Sequence, residues 1–170
     1  MAKTALQFAI LYILLALAQA IVFNNICLFS VAVPFVFIYV ITRLPMTLSV
    51  NWVLTISFTL GLVVDIFSNT QGMNALACTL LAMSRRTILH LYFPREDELT
   101  IPEPSIRSLG FDVYCRYLFS MVLFYCAAIF IIEAFSLFEP LRLVLRIVCS
   151  TILTFLLILG LDSVMTRSNN

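Results

Sequence analysis

The residues with the strongest claim to chemistry crowd into one stretch, Gly61-Leu62-Val63-Val64-Asp65-Ile66-Phe67-Ser68-Asn69-Thr70-Gln71-Gly72-Met73-Asn74. Asp65 closes an apolar run and is followed by a turn rich in hydroxyls and amides. A carboxylate in that place has two uses. It can cap the following turn, bonding locally as short polar side chains do. It can instead be a functional carboxylate, the default hypothesis for an ionisable group at the end of a membrane helix. The spacing leaves both open.

A second chemical feature is the pair Arg142 and Arg146, one turn apart at the N-terminal end of the last apolar run. The helix dipole disfavours cations there. They can snorkel to lipid phosphates beside Glu139. Alternatively, Arg146 pairs with Asp65, or both arginines receive an acidic surface of an extracytoplasmic partner. His90, the only histidine, follows Arg85-Arg86 without a nearby Cys or acidic partner, which suits an interfacial residue better than a ligand. Cys27, Cys78, Cys115, Cys126 and Cys149 are scattered with no C-x-x-C pair, the pattern of small hydrophobes rather than of disulfides or a metal site. No nucleophile context or Gly-rich phosphate loop is present. Neither catalysis nor a cofactor, metal or nucleic acid is expected.

The elements that must hold these residues are apolar helices. Of the 170 residues 62% are hydrophobic and 11% charged, and the mean hydropathy is +1.08. Soluble domains carry about 25% charged residues, so this composition calls for a bilayer. The chain is read as one all-α integral membrane domain over residues 1–170 with about six spans: Thr4–Phe23, Ile26–Thr42, Val50–Phe67, Gly72–Ser84 with an apolar extension to Phe93, Val113–Phe138 and Leu143–Leu161. Short turns separate them at Asn24-Asn25, Arg43-Leu44-Pro45, Ser68–Gly72 and Glu139-Pro140. The one long connection, Pro94–Asp112, carries three prolines, which disfavour a long helix. With the N-terminus inside, Lys3, Arg43, Arg85, Arg86, Arg95, Arg107, Arg116 and Arg167 lie on the cytoplasmic side and only Arg142 and Arg146 opposite, so both termini are expected in the cytoplasm. The outline of a secretory signal at Met1–Ala20 is set aside, because its apolar run is longer than most signal cores.

Helix length adds an expectation. From Gly72 to Arg85 there are only about 13 residues, roughly 20 Å of helix. If Arg85 and Arg86 lie at the cytoplasmic headgroups, the Ser68–Asn74 turn is recessed below the outer surface as a polar notch shielded by protein. Asn51, Thr55, Thr59, Leu62 and Asp65 share one face of the preceding helix, a stripe that suits a cavity or a helix contact, unless the threonines simply bond their own helix carbonyls. Ala5-x-x-x-Ala9 and Ala16-x-x-x-Ala20 allow close helix packing on the first span.

The pattern G-L-x-x-D-[IL]-[FL] followed by a small polar turn and Gly, at Gly61–Gly72, resembles the rod shape-determining protein MreD family. So do Pro34 within the second apolar run, the basic end Met83-Ser84-Arg85-Arg86, the overall length and six spans with both ends inside. Phe35 departs from the family, many of whose members follow the proline with an acidic residue. The resemblance covers essentially the whole chain, and Gly61, Asp65 and Gly72 are its matching motif positions. It implies a bacterial inner-membrane protein with a fold like the S components of energy-coupling-factor transporters. It also implies a non-catalytic place in the elongation machinery for peptidoglycan synthesis, bound to MreC and through it to MreB, RodA and a class B penicillin-binding protein.

Two functions follow as expectations. One is a membrane scaffold that controls cell shape, seating a partner in the outer notch with Gly61, Asp65, Ser68, Asn69, Gln71, Gly72 and Asn74. The other is a vitamin- or small-solute-binding S component using the same notch, against which stands the scarcity of ligand-grade groups near Asp65. A lipid or precursor carrier using Arg142 and Arg146 for phosphate is a third, thinner reading.

Overall fold

The computed structural model describes Tyr12, Leu14, Leu15, Gln19 and residues 33–92, 104–133 and 140–168. Among them all regular structure is helical: α1 (Ile38–Arg43), α2 (Val50–Ser68), α3 (Met73–Tyr92), the single turn α4 (Ile106–Leu109), α5 (Phe111–Glu133) and α6 (Pro140–Ser168). Tyr12, Leu14, Leu15 and Gln19 are helical too. Ala5, Ala9, Ala16 and Ala20, and with them the small-residue faces, lie outside the described residues, as does most of the acidic part of the long connection.

Three helices are long and apolar enough to cross a bilayer: α2, α5 and the Leu141–Ser163 part of α6. They mark a membrane protein. The other three expected spans have no such counterpart among the described residues. The first lies mostly outside them, the second is broken, and α3 reaches 20 residues but carries Asn74, Ser84, Arg85, Arg86 and His90.

The break in the second span is a correction with a clear cause. Pro34 does not ride in a continuous helix; among the described residues of that run, 33–37 are irregular and Ile38–Arg43 is helical. Proline lacks an amide hydrogen and pushes its predecessor away from helical geometry. The amides left without helical acceptors are met by side chains. Val33 N donates to Ser150 Oγ at 3.1 Å, Phe35 N to Thr154 Oγ1 at 3.1 Å and Val36 N to Gln19 Oε1 at 3.1 Å. Gln19 Nε2 returns a bond to Pro34 O at 2.9 Å. Irregular backbone is tolerated in a membrane protein only when wrapped by protein, and Phe35 through Ile41 are all buried. Phe35 and Phe37 meet Tyr125 of α5 edge-to-face, at 5.2 and 5.7 Å between ring centroids.

α6 presents a matching ladder. Ser150, Thr154, Ile158 and Asp162 recur every fourth residue and are all fully buried, so they share one helix face. Ser150 and Thr154 hold the irregular backbone. Asp162 accepts from Tyr39 Oη at 2.7 Å and pairs with Arg43 at the end of α1. The segment from 33 to 43 therefore lies along α6 and is fastened at both ends.

α2 and α3 form an antiparallel hairpin, and α5 packs on α3 and α6 on α5. α3 runs past Arg85 to Tyr92, so the run Gly72–Ser84 and its apolar extension form one helix. Arg85 does not mark the helix end; it is buried and donates to Leu44 O.

Candidate functional site

The expected motif lies where α2 meets α3, and its Gly61, Asp65, Asn69 and Gly72 each have a local task. At Gly61 the two helices nearly touch. A Cβ there would lie 2.6 Å from Ala75 N and from Asn74 O, and closer still to Ala75 Cα. Only a hydrogen fits. One turn later, Asp65 is buried, 3% exposed, and faces the start of α3. Its Oδ1 accepts from Asn74 N and Asn74 Nδ2, each at 3.0 Å, and from the Thr70 hydroxyl. Its Oδ2 accepts from Ala75 N at 2.9 Å.

These donors are the chemistry an N-cap supplies: the first amides of a helix have no intrahelical acceptor, and the helix dipole favours an anion there. The carboxylate comes from the preceding helix and so joins two helices as well as capping one. The cap reading of Asp65 is the one the geometry adopts. The turn itself is built to bring the chain round. Asn69 takes a left-handed conformation (φ 54°) and closes α2 by donating its amide to Asp65 O. Asparagine tolerates that region better than most residues. Gly72 (φ 78°) provides the second positive angle, which glycine adopts without steric penalty.

The network reaches a third helix. Tyr125 Oη of α5 donates to Asn74 Oδ1 at 2.6 Å, so Asp65, Asn74 and Tyr125 join α2, α3 and α5 at one end of the molecule. Of the residues expected around a notch, Asp65 and Asn74 are buried, Gly72 and Ser68 are half-buried, and Asn69 and Gln71 are exposed. The carboxylate does not edge an outward-opening dent; the turn covers it. The stripe on α2 also divides. Thr55 donates to Asn51 O at 2.9 Å and Thr59 to Thr55 O and Ile56 O at 3.0 and 2.9 Å, the back-bonding of hydroxyls to their own helix. Asn51, Thr55, Thr59 and Leu62 are exposed, while Asp65 is turned inward.

The pairing of Arg146 with Asp65 is also corrected. Arg146 binds Glu133 at the end of α5, with Nη1 and Nη2 each 3.2 Å from Oε1, and lies over the Phe130 ring at 4.7 Å. Asp65 already has its acceptor sites filled. Arg142, one turn before Arg146 on α6, is exposed.

A second polar cluster escaped the sequence reading. At the far end of the ladder Asp162, Arg43 and Tyr39 converge, with Arg43 over the Tyr39 ring at 5.4 Å and Tyr114 of α5 beside them. Asp162 Oδ2 and the Tyr114 hydroxyl are buried and form no hydrogen bond among the described residues. The signal available was an acidic residue on an apolar helix, at four-residue multiples from Ser150 and Thr154. Among the described residues no three His, Cys, Asp or Glu side chains converge as a metal site would require, and Cys78, Cys115, Cys126 and Cys149 form no disulfide.

No protein-family model matches the chain, and comparison with curated proteins and with solved structures gives no significant match.

Proposed function

We propose that this protein is a non-catalytic, multi-pass scaffold of the bacterial cell-elongation complex. It would lie in the inner membrane with both termini in the cytoplasm. There it would bind MreC and, through it, MreB, RodA and a class B penicillin-binding protein. The observation that carries the proposal is the inward direction of the polar motif. Both oxygens of Asp65 are occupied by the chain's own donors, so the motif that resembles the family is a structural joint. What the molecule offers outward is apolar helix surface. Leu141, Val144, Leu145, Val148, Ile152 and Leu156 of α6 are all exposed and recur at helical spacing along one side. Such a surface contributes packing and orientation to neighbouring helices, not bond-making chemistry.

The test is recovery of MreC. The tagged chain, co-expressed with MreC from the same genome and solubilised in mild detergent, is expected to retain MreC through purification. Recovery no better than with an unrelated multi-pass protein would reject the scaffold reading. An S component of a transporter remains the second reading, favoured by the irregular segment 33–37, since transporters place solutes at interrupted helices. Against it, Ser150, Thr154 and Gln19 already bond the amides of that segment. A thermal-shift screen against vitamins separates the two, because a true site ligand stabilises by mass action.

A further inference from the structure

Tyr39, Tyr114, Tyr117 and Tyr125 are all fully buried, and three of them use their hydroxyl. Tyr39 donates to Asp162 Oδ1 at 2.7 Å, Tyr117 to Thr42 O at 3.5 Å and Tyr125 to Asn74 Oδ1 at 2.6 Å. Tyr114 differs: its Oη has no hydrogen-bond partner among the described residues. A buried tyrosine hydroxyl ordinarily finds a partner. Left bare it costs free energy that a phenylalanine at the same place would not.

The complementary need lies in the same cluster. Asp162 Oδ1 takes both the Tyr39 hydroxyl and Arg43. Oδ2 of the same buried carboxylate has no donor among the described residues. Tyr114 is near enough to interact electrostatically with both Asp162 and Arg43. Arg43 does not meet the need of the tyrosine, because a guanidinium has hydrogens to give and no lone pair to receive one. One cluster therefore holds a hydroxyl hydrogen without an acceptor and a carboxylate oxygen without a donor. The two do not bond each other directly. Arg43 has a side chain 17% exposed, so the cluster touches the surface along it.

We propose that the cluster binds a buried water molecule, which accepts from Tyr114 Oη and donates to Asp162 Oδ2. Buried waters typically bond to about three groups that would otherwise be unsatisfied. The electrostatics select this occupant: a metal ion meets the charge of the guanidinium, and an anion meets that of the carboxylate. Bound there, the water ties α5 to the ion pair between α1 and α6. It thus plays the part that Asn74 plays between Asp65 and Tyr125, where a side chain bridges an acid and a tyrosine.

X-ray radiolysis of the full chain in nanodiscs tests this, because it turns a bound water into a hydroxyl radical beside its ligands. Oxidation of each tyrosine is read by mass spectrometry in ¹⁸O-labelled water. Tyr125, equally buried but bonded to a side chain, is the internal control. Tyr114 is expected to be oxidised severalfold faster than Tyr125 and to carry the label. Oxidation no faster than that of Tyr125 overturns the proposal. Tyr114→Phe gives the second measurement, since it keeps the ring and removes the hydroxyl. A water-bonded hydroxyl contributes stability, so this variant is expected to melt about 2–4 °C lower in detergent, the shift that one lost hydrogen bond gives in a chain of this size. An unchanged or raised melting temperature marks a bare hydroxyl and overturns the proposal. A lowered one without faster Tyr114 oxidation marks a direct protein bond and overturns it too.

Discussion

Two buried carboxylates end two different stretches of this molecule, and they are neutralised in opposite ways. Asp65 has no ion pair with a cation among the described residues; backbone amides at the start of α3, the Asn74 side-chain amide and a hydroxyl share its charge. Asp162 meets few donors. Arg43 supplies a whole positive charge, Tyr39 one hydrogen bond at 2.7 Å, and Oδ2 is left without a bond among the described residues. The first arrangement uses groups that any helix must expose at its N-terminus, so the partner of Asp65 is the fold itself. The second uses a dedicated side chain 119 residues away, so the pair can be exchanged as a unit. Loss of the acid should therefore be repairable at one site and not at the other.

The largest effect is expected from Asp162→Ala. It removes the carboxylate that Arg43 pairs with and should cost about 3–4 kcal/mol, as when one member of a buried ion pair is removed. The double change Arg43→Met with Asp162→Leu should recover most of that, because two apolar groups can replace a pair with little net loss. Thermal unfolding in detergent measures both, and a double variant no better than the single one would refute the exchangeable pair. Asp65→Ala comes next, at about 3 kcal/mol from several charge-assisted hydrogen bonds lost at once. No second substitution should restore it, since two of the donors are backbone. Gly61→Ala should cost about 2–3 kcal/mol, because the close approach to Ala75 leaves no room for a methyl group. A variant as stable as wild type would mean the hairpin separates freely. Tyr125→Phe, which removes one bond to Asn74 at the edge of the joint, should cost about 1 kcal/mol.

The sequence carried the helical, membrane-embedded character and the boundaries of the later helices to within a few residues, because apolar runs and turn residues record them locally. It also singled out Gly61, Asp65 and Gly72, although composition could not say whether the acid faced in or out. The burial of Asp65 follows from Ala75 and Asn74 approaching Gly61, a contact between helices that no single-helix pattern contains. The fourth apolar run with its extension to Phe93 marks α3, but the burial of Arg85 has no local signal, because its acceptor is the backbone carbonyl of Leu44. The break at Pro34 was visible as a proline, but the groups that stabilise it are Gln19, Ser150 and Thr154, distant in sequence and unremarkable as residue types. Asp162 stands out as an acid on an apolar face, but its pairing with Arg43 spans 119 residues and no local pattern records it.

The central claim is that Asp65 works inward, capping α3 as part of a joint, while partners meet the outer helix surfaces. Amide hydrogen exchange in lipid nanodiscs, comparing wild type with Asp65→Ala, tests it most directly. The account predicts markedly faster exchange at Asn74 and Ala75, with protection along α6 retained. Unchanged exchange at those two amides, together with lost MreC recovery, would show instead that the carboxylate faces a partner.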